Sequence, residues 1–115
     1  DMLSVDGYAV YEMDIKNISG NQFKVILSDE LILDYKDGKF QMHFTSQKKT
    51  SLSAGRSLRY VEVEEVKNLK ILADASSVEV FVNDGEYVFS TRYYPEEYKV
   101  QAEANGAQIT FASIS

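Results

Sequence analysis

Apolar side chains recur at every second position through most of this 115-residue chain, the spacing of a strand that buries one face and shows the other to water. Ala9, Tyr11, Met13 and Ile15 alternate with Glu12, Asp14 and Lys16. Phe23, Val25 and Leu27 repeat the pattern, followed by Leu31, Leu33 and Tyr35 and then by Phe40, Met42 and Phe44. It resumes at Arg59 to Val63 and Leu69 to Ala73, at Ser77 to Asn83 and Tyr87 to Tyr94, and closes with Tyr98 to Ala102 and Ile109 to Phe111. About ten short strands, with no 3.6-residue period and no strand–helix alternation, predict an all-β chain. An antiparallel β-sandwich of two sheets is preferred over a barrel. No repeat of fixed length is present, which excludes a propeller or a solenoid for this chain alone.

The turn chemistry agrees with that pattern. Asp37-Gly38 sits between two alternating runs, and Asn83-Asp84-Gly85-Glu86 between two others. A tight hairpin turn needs positive φ at both central residues, which Asp-Gly tolerates best. Asn105-Gly106 is read as a closing hairpin on the same logic. Gln47 to Gly55, rich in Ser, Lys and Thr, reads as an exposed loop and not a linker, because strands resume after it. Residues 1–115 are therefore expected to form one domain.

Composition narrows the partners. Lys plus Arg number 12 against 18 for Asp plus Glu, a formal net charge of −6, so the averaged field repels phosphate backbones and anionic lipid. No nucleic-acid or membrane partner is expected. No apolar run approaches a membrane span, and the absence of cysteine removes disulfides, thiolate catalysis and Cys-ligated metals.

Candidates for chemistry are few. His43, the only histidine, alternates outward and reads as a surface residue. Neither a calcium-loop ladder nor a glycine-rich phosphate loop is found, so no metal and no cofactor is expected. Glu79, near Asp74, Asp84 and Glu86, raises the idea of a carboxylate pair for glycosidic cleavage, but a carboxylate between Val78 and Val80 reads as a solvated or interface residue. Arg56, Arg59 and Arg92 are read as partners of carboxylates across a sheet, with anion binding as the alternative. Tyr87, Phe89 and Tyr93 share a core-facing side, and Tyr94, beside Pro95 and Glu96-Glu97, is the aromatic expected to be exposed.

The run from Leu69 to Pro95 resembles the C-terminal β-sandwich domain of glycoside hydrolase family 32, the invertases, sucrose-6-phosphate hydrolases, levanases and inulinases. Ser76-Ser77-Val78-Glu79-Val80-Phe81, then Asn83-Asp84-Gly85-Glu86, then Thr91-Arg92-Tyr93-Tyr94-Pro95 stand in the family's order and spacing. Leu33-Asp34-Tyr35 and Gly55-Arg56-Ser57-Leu58-Arg59 resemble weaker parts of the same domain. In that family the nucleophile, the transition-state Asp and the acid/base Glu belong to an N-terminal five-bladed propeller, in Trp-x-Asn-Asp-Pro-Asn-Gly, Arg-Asp-Pro and Glu-Cys. This chain has no Trp and no Cys, and its one Pro follows Tyr94. No catalytic residue is therefore assigned, and Asp84 is not carried over as a nucleophile.

The resemblance implies a non-catalytic domain, the C-terminal piece of a longer retaining β-fructosidase, whose partner is the catalytic propeller of the same polypeptide. Phe81, Ile32, Ile26 and Leu72, apolar on faces that alternation calls outward, are surplus to one core, and Phe81 is the interface candidate. The alternative is a carbohydrate-binding module for fructan or sucrose-type sugars, with Glu79, Arg92 and Tyr94 converging on a shallow pocket. A homodimer remains open, as does the compartment, cytoplasmic or secreted.

Overall fold

Tyr11, Met13 and Ile15 are buried while Lys16 is exposed and Glu12 and Asp14 are half-buried, so period-two alternation sorts inside from outside as the sequence requires. A computed structural model describes residues 2–19, 22–45 and 58–113. Among them the strands are β1 (Met2–Asp6), β2 (Tyr11–Lys16), β3 (Gln22–Leu27), β4 (Leu31–Lys36), β5 (Lys39–Phe44), β6 (Leu58–Glu62), β7 (Leu69–Asp74), β8 (Ser77–Val82), β9 (Tyr87–Arg92), β10 (Lys99–Ala104) and β11 (Gln108–Ser113). They form two antiparallel sheets, six strands in the order β1-β10-β3-β4-β5-β6 and five in the order β11-β2-β7-β8-β9. The all-β sandwich expected from the alternation is what forms. The loop expected over Gln47 to Gly55, and Arg56, lie outside the described residues.

The core lies between the sheets. Val25, Leu27, Leu31, Leu33 and Phe40 from the larger sheet meet Met13, Ile15, Ile71, Val78 and Val80 from the smaller. Phe40 and Phe89 join the two layers, their ring centroids 5.2 Å apart and tilted by 49°. The Tyr35 hydroxyl, buried with its ring, reaches the carbonyls of Val63 at 2.8 Å and Glu64 at 2.9 Å. That fastens the segment after β6, and Val66 beside it is buried.

Two of the three expected hairpins form as the turn chemistry dictates. Asp37 and Gly38 take φ of 50° and 81° and close a two-residue turn between paired Lys36 and Lys39. Asp84 and Gly85 take φ of 59° and 92°, and the Glu86 amide donates to the Asn83 carbonyl at 3.2 Å. The third expectation is wrong. β10 pairs with β1 and β3, whereas β11 pairs with β2 in the other sheet, so Asn105-Gly106 carries the chain from one layer to the other. Only Gly106 of that pair has positive φ, 67°, so the two-residue hairpin geometry is not available.

β1 was not legible as a strand. Its inward residues are only Leu3 and Val5, both half-buried at a sheet edge.

Candidate functional site

The sandwich presents two outer faces of different character. On the five-stranded sheet the register sets Lys70, Phe81 and Val88 in one transverse row and Leu72, Glu79 and Ser90 in the next. Val88 is 52% exposed, and Leu72 and Phe81 are half-buried, so three apolar side chains stand together in two rows whose other members here are Lys70, Glu79 and Ser90. An open groove of about 770 Å³ runs past Leu72 and Phe81 and is bordered by Asp14, Lys16, Lys70 and Asp84. Lys70 Nζ lies 4.0 Å from Glu12 Oε2. The adjacent Asp14, through a hydrogen bond and then through its charge, holds the Glu12 carboxyl above its usual range.

Glu79 is exposed on this same face, two residue pairs along the ladder from Arg92, which sits opposite Ser77. Tyr94, 49% exposed, follows the end of β9. The structure thus puts Glu79 and Arg92 on one face with Tyr94 beyond it, but none of the three lines the groove beside Phe81. Among the described residues no hydrogen bond or ion pair joins Glu79 to Arg92. Ile26 and Ile32, which the sequence grouped with Leu72 and Phe81, pair with each other on the opposite sheet, so the surplus apolar residues divide between two faces.

The family-like turn has a structural role that sequence reasoning missed. Asn83 Oδ1 accepts the Lys67 amide hydrogen at 2.7 Å, and Asn83 Nδ2 donates to the Glu65 carbonyl at 2.8 Å. The Asp84 amide donates to Asn68 Oδ1 at 2.9 Å. The turn is pinned to the segment entering β7, and its side chains are committed to that segment. Arg59 also differs from expectation. It lies on the inward side of edge strand β6 and donates to the Ser90 main-chain carbonyl of β9 rather than to a carboxylate.

On the six-stranded sheet, Asp34 accepts from Gln41 Nε2 at 3.3 Å and lies 3.3 Å from His43 Nε2. Inside the sandwich, burial pushes the Tyr11 hydroxyl far above its ordinary pKa, with Tyr93 adding to the shift. Burial raises Tyr93 as well. Tyr93 is near enough to act on the Tyr11 hydroxyl, yet among the described residues no group meets hydrogen-bond geometry with it. Among the described residues no group of three His, Asp or Glu side chains is placed to hold a metal ion, and no helix is long and apolar enough to cross a membrane.

Comparison with known proteins agrees with this architecture. Residues 19–115 match the family model described as glycosyl hydrolases family 32 C terminal. Sucrose-6-phosphate hydrolase of Bacillus subtilis is 40% identical over 50 residues, which cover 42% of this chain and 10% of that protein. The chain thus spans about a tenth of that relative's length. The glycoside hydrolase family 32 structure from Bifidobacterium adolescentis superposes with a TM-score of 0.76 at 14% identity, over 97% of this chain and 19% of that one. Sheep Galectin-11, in complex with glycerol, superposes with a TM-score of 0.61 at 16% identity, over 97% of this chain and 96% of that one. The last likeness shows that a sandwich of this kind makes up nearly the whole of another protein. With a family model matched over most of its length, the chain belongs to the non-catalytic C-terminal domain family of glycoside hydrolase family 32.

Proposed function

We propose that this domain packs on the catalytic propeller of a sucrose- or fructan-hydrolysing enzyme and stabilises it, using the outer face of the five-stranded sheet. The observation that carries this reading is the cluster of Leu72, Phe81 and Val88 on that face. Exposed apolar side chains that stand together on a sandwich with a filled core favour a contact surface over solvent. Lys70, Glu12 and Asp14 around the cluster supply the polar rim that such interfaces commonly have. The relatives named as sucrose-6-phosphate hydrolases support the choice of partner, because the part they share with this chain is a small fraction of each.

The test is association in trans. The 115-residue chain, mixed with the separately produced propeller of its parent enzyme, should form a one-to-one complex in sedimentation velocity and raise the melting temperature of the propeller. Two components that sediment independently at tens of micromolar, with no change in melting, would retire the reading.

A further inference from the structure

The opposite face carries a second feature that propeller packing does not use. Glu103 of β10, Lys24 of β3, Asp34 of β4, Gln41 of β5 and Tyr60 of β6 are paired in succession by the register of the six-stranded sheet. They form one polar row across five neighbouring strands, about 19 Å long at the usual inter-strand spacing. A groove of about 480 Å³ is lined by four of the five, Glu103, Lys24, Asp34 and Gln41, and Gln22, Lys36 and Asn105 add further polar groups to its wall, while Tyr60 stands just past its end, opposite Gln41 in the register. We propose that this groove binds a neutral oligosaccharide laid across the strands.

Four observations converge on that ligand class. Two lysines, Lys24 and Lys36, are balanced in the groove by Asp34 and Glu103, so neither an anion nor a cation is favoured over a neutral molecule. A hydroxyl both donates and accepts, and carboxylates, amides and ammonium groups side by side satisfy both roles. Asp34 is already oriented, its side chain 24% exposed and its two oxygens engaged by Gln41 and His43. Among the described residues Lys24 and Lys36 form no ion pair, which leaves their ammonium groups to a ligand.

The row also offers apolar contact where a sugar presents its C–H groups. Tyr60, 55% exposed, ends the row, and Lys39 Nζ sits 4.3 Å from its ring centroid, a cation–π contact that restrains the ring. Ile26 and Ile32 stand half-buried in the adjacent row. A protein partner fits this groove poorly, because interface centres are depleted in charged residues, and here four charged side chains line the wall.

The direct test is a nitrogen-15 chemical-shift titration of the chain with three probes: an inulin-type fructo-oligosaccharide, a levan-type fructo-oligosaccharide and maltopentaose. At least one should shift the amides of Lys24, Asp34, Gln41 and Tyr60 at low millimolar concentration. Tyr60→Ala and Asp34→Asn should each weaken that binding at least tenfold, with the Tyr60→Ala unfolding midpoint unchanged. No shift with any of the three, shifts centred on Glu79 and Arg92, or inorganic phosphate binding the row more tightly than every sugar would each overturn the proposal. Because this groove lies on the face opposite Phe81, failure of propeller association leaves the titration outcome unaffected, and the two readings fail separately.

Discussion

Asn83 holds Glu65 and Lys67 together, its amide nitrogen donating to the Glu65 carbonyl at 2.8 Å while its amide oxygen accepts the Lys67 amide hydrogen at 2.7 Å. The residue itself is left-handed, with φ of 52°, a conformation in which Asn is better tolerated than Ala. Its substitution by Ala therefore removes these two hydrogen bonds and a longer third one from the Asn68 amide to the same oxygen, 3.5 Å, and adds backbone strain. Asn83→Ala should destabilise the chain by about 2 kcal/mol. Asn83→Asp, which keeps the acceptor, should cost about half as much, read from denaturant midpoints at constant slope.

Gly85 separates backbone strain from crowding. Its φ is 92°, and a β-carbon built there meets nothing within 4 Å, so Gly85→Ala should cost only the conformational term, about 1 kcal/mol, and the β-branched Gly85→Val more. At Gly106 a β-carbon would collide with Ser19 Oγ as well as occupying φ of 67°. Gly106→Ala should therefore lower the midpoint more than Gly85→Ala, and Ser19→Gly should recover part of the difference. Equal effects at the two glycines would contradict this assignment.

The buried tyrosines set the alkaline limit of the fold. Tyr11 and Tyr93 have folded pKa values raised above the ordinary 10.0, chiefly by burial. Above that value the unfolded chain releases their protons while the folded chain keeps them, so stability is fully present below about pH 10 and falls as pH rises further. The slope is about 1.4 kcal/mol per pH unit for each such tyrosine. Because the Tyr11 hydroxyl is buried with no well-formed hydrogen bond among the described residues, Tyr11→Phe should be close to neutral at pH 7. The same variant should make the loss above pH 10 shallower. Urea midpoints measured from pH 7 to 11 test both statements.

Much of the sandwich was legible because burial obeys the two-residue period of a pleated strand, as Phe23, Val25 and Leu27 show by facing inward while Gln22 and Lys24 face out. Turn residues revealed where the chain reverses at Asp37-Gly38 and Asp84-Gly85, for positive φ is a local steric requirement. The same signal failed at Asn105-Gly106, because which sheet the next strand joins is decided by long-range pairing, here of β11 with β2. The polar row from Glu103 to Tyr60 was invisible for a related reason. Its five members are scattered from residue 24 to residue 103, and only register aligns them. The duty of Asn83 was hidden too, since side-chain bonds to Glu65 and Lys67 leave no periodic trace.

Phe81 is half-buried on the outer face, between Lys70 and Val88 in the register, and the claim that this face docks on the propeller rests most heavily on it. Unfolding and propeller binding measured together on Phe81→Ser test that claim most directly. The account predicts a change in unfolding free energy below about 1 kcal/mol, as for a surface position, with binding weakened about thirtyfold, the effect of removing an aromatic anchor worth about 2 kcal/mol. An unfolding cost of about 3 to 5 kcal/mol, the range for truncating a large core side chain, or unchanged affinity for the propeller, would contradict it.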